Sequence, residues 1–269
     1  MTATPVTARP VLVGNRLVLA GSVLYLLEWV AIFAASVDVP LGAEASTADV
    51  TSGYAGHTTA LGWASGWFSV VLLGRLLIVT GIRSALADSG RPRHLMDVAV
   101  LAMGVSVAIE ITTYAVVPGA AWYLDHGGSI DTVRALDAAT FTMNNAIFGP
   151  LGVAVLCSAA AMWSSGLFPR VLCVLGVLAG VGNALVGLMF SAPAVTGIAE
   201  MLRVAVVLFW GWMLWTGVLC WSRTTRVPGT TTRGGLTPQQ RGKMPRADRR
   251  TPTVVPCALT GYRCRPPPS

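Results

Sequence analysis

Residues 171–190 read VLCVLGVLAGVGNALVGLMF, twenty consecutive positions without a charged side chain. A surface helix of a soluble protein keeps one charged face along its length, and this stretch has none. Its length matches the ~20 apolar residues that a helix needs to cross the hydrocarbon core of a bilayer. Five further windows of the same kind lie around it. Residues 17–37 read LVLAGSVLYLLEWVAIFAASV and residues 61–82 read LGWASGWFSVVLLGRLLIVTGI. The others cover 95–117, 139–162 and 199–221. Strands of a membrane barrel alternate polar and apolar residues over ~10 positions, and none of the six windows does so. The pattern predicts an all-α fold, a polytopic bundle of six transmembrane helices.

Composition agrees. Of 269 residues, 54% are apolar and only 12% charged, and the mean hydropathy is +0.64. Soluble chains carry roughly twice that charged fraction, so this one could not cover a folded surface with polar side chains. Five cysteines are too few and too uneven for a secreted disulfide scaffold. The apolar content excludes disorder of the whole chain. The expected organisation is a short segment at 1–16, a transmembrane domain at 17–221 and a basic tail at 222–269. Arg9 and Arg16 precede an apolar run ending in Ala34-Ala35-Ser36, as in a signal peptide. The run exceeds a typical signal core and contains Glu28 and Trp29, which favours a retained helix.

Arginine placement predicts orientation. Arg9, Arg16, Arg83, Arg91, Arg93, Arg170 and the tail fall on one side of the membrane. The opposite loops hold only Arg134, with Asp38, Glu44, Asp49, Asp125, Asp131 and Asp137. Both termini are therefore expected in the cytoplasm, and the protein in a bacterial inner membrane. The tail has ten basic residues and one acid, a balance of +9, while the remainder nets −2. Rich in proline and lacking apolar periodicity, it reads as disordered. It serves as a topology signal or as a contact for anionic lipid. The partners expected are the bilayer and other membrane proteins. Nucleic acid is not among them, because the basic residues lack a fold or interleaved aromatics.

No phosphate-binding glycine loop, zinc-protease helix or nucleophile elbow is present. His57, His94 and His126 are isolated in loops on both sides, so no metal site is expected. Cys157, Cys173 and Cys220 lie in or beside helices and read as small apolar residues. Cys257 and Cys264 lack zinc spacing. No cofactor is implied.

Ionisable groups within spans are costly and mark sites or helix contacts. They are Glu28, Arg75, Asp97, Glu110, Glu200 and Arg203, with Asn144 and Asn145 as neutral partners. Asp97 lies near its helix start and reads as interfacial. Depth at ~1.5 Å per residue puts Glu28 at roughly 16 Å and Arg75 at roughly 10 Å from the cytoplasmic edge. An arginine stem closes that difference, so these two are expected to pair. Glu110, Asn144 and Arg203 fall at roughly 22–24 Å and form a second polar layer. Glu200 and Arg203, three apart, share a face. Asn144 and Asn145, being consecutive, cannot both face one partner. Such groups hold a polar ligand or relay a proton, or they fix helix neighbours at around a kcal/mol per contact. Gly176 with Gly180, and Gly62 with Gly66, have the small-xxx-small spacing that lets helices approach.

The turn Ser165-Gly166-Leu167-Phe168-Pro169-Arg170, followed by VLCVLGVLAGVGNAL, resembles an uncharacterised family, a domain of unknown function, of bacterial six-helix integral membrane proteins. The first helix is similar to theirs as well. Valine stands at Val171 where that turn often has tryptophan, and Cys173 interrupts its leucine-glycine step. The basic tail lies outside the pattern. The resemblance implies a six-helix bundle and brings no activity or catalytic residue. Pro169 suits the first turn of a helix, where its missing N–H is harmless. Three functions stay open. A non-enzymatic accessory or regulatory membrane component ranks first, then a small-solute or proton-coupled transporter or channel. An intramembrane enzyme ranks last, because no nucleophile–base pair is visible.

Overall fold

The computed structural model of the chain describes residues 9–35, 39–42, 44–87, 94–189 and 198–225. All of them belong to one unit, Met1–Val227. The basic tail from residue 226 onward lies outside the described residues, as do Glu200 and Arg203 in their side chains. Among the described residues there is no strand. The helices are α1 (Arg9–Leu26), α2 (Glu28–Ala35), α3 (Thr47–Tyr54), α4 (Thr58–Val71) and α5 (Leu73–Ala87). They continue with α6 (His94–Asp125), α7 (Ile130–Ala146), α8 (Phe148–Ser165), α9 (Arg170–Met189) and α10 (Ile198–Thr225).

Six spans long and apolar enough to cross a membrane result: Val13–Ala34, Thr58–Ala87, His94–Asp125, Ile130–Ser165, Arg170–Met189 and Val204–Arg223. The all-α, six-span reading of the sequence is therefore the observed fold. The first, second and fourth spans each consist of two helices separated by one residue, Leu27, Leu72 or Ile147. Each span packs against its neighbour in sequence, and α10 returns to α1. The bundle is a closed ring.

Its polarity is that of a protein in lipid. Arg75 is 1% exposed, Glu110 5% and Glu28 7%, whereas Leu101 is 71% exposed and Leu188 74%. Water would favour the reverse arrangement. An apolar exterior this extensive marks a membrane-facing surface, and ionisable groups in such proteins face the bundle interior.

Glycines set how closely the first two spans approach. A Cβ on Gly21 would lie 2.5 Å from the Gly74 carbonyl oxygen, and one on Gly81 would lie 2.6 Å from the Val18 nitrogen. Backbone thus lies on backbone along α1 and α5, as small residues permit between membrane helices. Gly176 and Gly180 do the same work on α9. Added Cβ atoms there would meet Ala159 at 2.8 Å and the Leu156 side chain at 2.6 Å. Gly62 and Gly66 face open space, so that pair makes no helix contact among the described residues.

Two prolines disturb the ladders, in different ways. Pro150 has no N–H for the carbonyl four residues back and its ring crowds that carbonyl. That residue is Ala146, the last of α7, which accounts for the break at Ile147. Pro118 lies within the unbroken α6, and the carbonyl it leaves without a donor is that of Tyr114. The Ser65 hydroxyl from α4 donates to it at 2.6 Å. No water is available in hydrocarbon, so a neighbouring helix replaces the lost bond.

A small cap closes the end of the ring where α3 lies. Val50 and Tyr54 pack with Leu61, Val117, Ala121 and Val133. Asp137, fully buried, accepts from the Leu41 and Gly42 N–H groups at 3.0 and 2.8 Å and from the Tyr54 hydroxyl at 2.7 Å. Gly42 has φ +105°, a conformation that other residues rarely adopt. Burial and then the bond to Asp137 hold the Tyr54 phenol well above its ordinary pKa, so it stays a donor.

The same substitution should act oppositely at two glycines. Gly21→Ala should lower stability in detergent by about 1–3 kcal/mol through overpacking. Gly62→Ala, in open space, should leave it unchanged or raise it by up to about 1 kcal/mol through helix propensity. Thermal unfolding of the two purified variants checks this.

Candidate functional site

The bundle holds a partly open cavity of about 190 Å³, room for about six waters at ~30 Å³ each. Five of the six spans line it. The first contributes Tyr25, Glu28, Trp29 and Ile32, the second Arg75, and the third Glu110. Asn144, Ile147, Phe148 and Leu151 come from the fourth span, and Val206, Phe209 and Trp210 from the sixth. The cavity also borders the helix breaks. Glu28 opens α2 just after Leu27, Arg75 lies in the first turn of α5 just after Leu72, and Ile147 itself faces the space. A local departure from α geometry inside a helix recurs at functional hinges. Here the Leu27 N–H bonds to Leu24 and the Arg75 N–H to Leu72, each one residue short of the α pattern.

Four residues singled out from the sequence meet here: Glu28, Arg75, Glu110 and Asn144. Arg75 forms an ion pair with Glu110. The expected depths had joined Arg75 to Glu28 instead. The reason for the difference is the length of the second span, which continues to Ala87 rather than ending near residue 82. From that end Arg75 lies at about 18 Å, close to the about 22 Å of Glu28 and the about 24 Å of Glu110 from their own ends. Glu28, Arg75 and Glu110, expected in two layers, therefore share one, while the Arg203 side chain of the second lies outside the described residues. Tyr25 lines the cavity beside Glu28, and the Arg75 guanidinium carbon lies 5.1 Å from the centre of the Tyr25 ring. Arg75 therefore has a carboxylate and an aromatic face around it, both of which stabilise a buried guanidinium.

Asn145 belongs elsewhere. Its amide donates to the Phe141 carbonyl of its own helix at 2.8 Å, while Asn144 lines the cavity. Asp97 pairs with Arg83 near an exposed helix end, with Nη2 2.7 Å from Oδ1. Glu200 and Arg203 stand in the first turns of α10, and their side chains lie outside the described residues.

Sequence reasoning passed over Tyr25 and Phe209, and from sequence the deep Trp210 reads as packing. Trp210 stacks on Tyr25 with ring centres 4.5 Å apart and planes within 7°, and Trp29 lies 5.5 Å from Trp210. The three-residue spacing of Tyr25 to Glu28 within the first span was the available signal. Nothing in the sequence said that α10 would return to α1.

Several polar atoms of the site are buried without a hydrogen-bond partner: Glu28 Oε2, Arg75 Nε and Asn144 Oδ1. Leaving such groups unsatisfied costs about 1–3 kcal/mol each, more when charged. A cavity of this size offers them partners from outside the chain, as water or as a polar solute. The described lining residues carry a formal charge of −1, from two carboxylates and one guanidinium. Among the described residues no group of three or more His, Cys, Asp or Glu side chains forms a metal site. The site can therefore hold a small polar or cationic guest and exchange a proton at a carboxylate.

Comparison with family models, with curated proteins and with solved structures finds no match to this chain.

Arg75→Gln would leave two carboxylates in the cavity without a cation, so it should cost about 3–5 kcal/mol. The double variant Arg75→Gln/Glu110→Gln removes the pair as a unit and should recover most of that loss. Yield of monodisperse protein and thermal unfolding read the difference. Additive losses would contradict the pairing.

Proposed function

We propose that this multi-pass membrane protein carries a small solute, and that the cavity around Glu28, Arg75, Glu110 and Asn144 is its binding site. The observation that carries the reading is the set of unpartnered polar atoms facing a cavity lined by five spans. Charges that serve only to hold helices together satisfy one another and leave no space between them. An accessory component, the function ranked first from sequence, needs no such cavity. Sites at the level of broken helices recur in carriers, because a helix break offers polar groups and a pivot in the middle of the bilayer. Here the breaks at Leu27, Leu72 and Ile147 border the site, and they supply natural points of bending.

The arginine bias supports a cytoplasmic location of both ends in a bacterial inner membrane, with α3 on the outer side. Membership of the six-helix family belongs to the same proposal and rests on the turn at residues 165–170. The basic tail then lies beside the inner leaflet, where anionic lipid attracts it.

Single cysteines in a chain stripped of its native five test both parts. Asn144→Cys should react with a charged, membrane-impermeant thiol reagent from at least one side. If it reacts only after denaturation, the cavity is closed to water and the carrier reading fails. Ser52→Cys should be labelled from outside intact cells and Leu167→Cys only in inverted vesicles. The opposite pattern would reverse the topology.

A further inference from the structure

The cavity has a charge preference that its residues decide. Among its described lining residues the only cation is Arg75, which faces the Glu110 carboxylate. An anion entering would have to compete with Glu110 for that guanidinium. It would also lie beside the second carboxylate, Glu28, which is 7% exposed and has Oε2 unpartnered. The opposite sign meets no such conflict. Once Arg75 and Glu110 neutralise one another, Glu28 is the remaining charge, and a buried carboxylate without a counter-ion is costly. Beside it stand the rings of Trp29 and Trp210, 5.5 Å apart, and that of Tyr25, which already faces Arg75 and stacks on Trp210. Aromatic faces beside a carboxylate recognise alkylated ammonium groups, through cation–π attraction on one side and ionic attraction on the other. Size sets a further limit. At about 190 Å³ the space falls below the 300–1,000 Å³ of pockets for drug-sized ligands.

We propose that the solute is a small organic monocation, a protonated amine or quaternary ammonium, seated on Glu28 and walled by Tyr25, Trp29 and Trp210. This inference rests on the carrier reading and adds the chemical class of what is carried. Arg75 is then a positioning residue. Paired with Glu110, it keeps that carboxylate from binding the guest and leaves Glu28 as the single anionic seat.

Tetramethylammonium chloride is a suitable probe, with sodium chloride and sodium acetate at equal ionic strength as references. The purified full-length protein should show a saturable rise in unfolding temperature with tetramethylammonium and none with either reference. The rise should vanish, or the affinity fall at least about tenfold, in Glu28→Gln, which keeps the shape of the side chain. Trp29→Leu should weaken the affinity by between about twofold and thirtyfold while retaining every charge. Should Glu28→Gln not fold, Trp29→Leu decides, and an unchanged affinity overturns the proposal. A response equal to that of sodium chloride, a response to acetate, or full retention in Glu28→Gln also overturns it. Labelling of Asn144→Cys separates the two levels. Reaction that tetramethylammonium slows supports both, and reaction without any effect of tetramethylammonium leaves a carrier of some other solute. An inert Asn144→Cys removes the carrier and the cation together.

Discussion

An arginine and a glutamate buried at the same depth in hydrocarbon constrain the whole molecule. Neither Arg75 nor Glu110 can reach water by extending along its helix, because both lie near the middle of spans of 30 and 32 residues. Each must be met by the other and both must be walled from lipid. The closed ring accomplishes this. The second and third spans bring the pair together, while the first and sixth close over it with Tyr25 and Trp210.

The backbone obeys the same rule. Where Pro118 deprives the Tyr114 carbonyl of its donor, Ser65 of the neighbouring span supplies one. Where the first span breaks at Leu27, the Trp67 indole N–H donates to the Leu27 carbonyl at 2.7 Å. Both bonds tie α4 to a neighbour, so irregular backbone becomes a means of attachment. Backbone contact at Gly21 and Gly74 then fixes where the first span sits against the second. That contact puts Tyr25 and Glu28 beside Arg75. Small residues, helix breaks and charges are therefore linked, since the first determine how closely the last converge.

The number and class of spans were legible because hydrophobic length is a local property, readable window by window. The residues of the site were legible for a similar reason, since Glu28, Arg75 and Glu110 are conspicuous in apolar surroundings. Their partnership was not. Depth counted from the edges of apolar windows placed Arg75 too shallow, because the helix of the second span runs on through Arg83 to Ala87. Hydropathy sees Arg83 as an end, whereas the backbone ladder continues past it. Asp137 was counted only as a loop acid, although it gathers three donors across more than eighty residues of sequence. Such convergence depends on the return of a distant segment, which no periodicity records. The aromatic wall formed by Trp210 was hidden in the same way, as it exists only because α10 lies against α1.

An experimental density map of the protein in a lipid nanodisc tests the central claim most directly. The account predicts the Arg75 guanidinium within hydrogen-bonding reach of the Glu110 carboxylate. It also predicts non-protein density between Glu28 and Asn144, as ordered water or a bound solute. Arg75 extended toward the headgroups with Glu110 turned elsewhere, or a ring interior filled entirely by side chains, would contradict it.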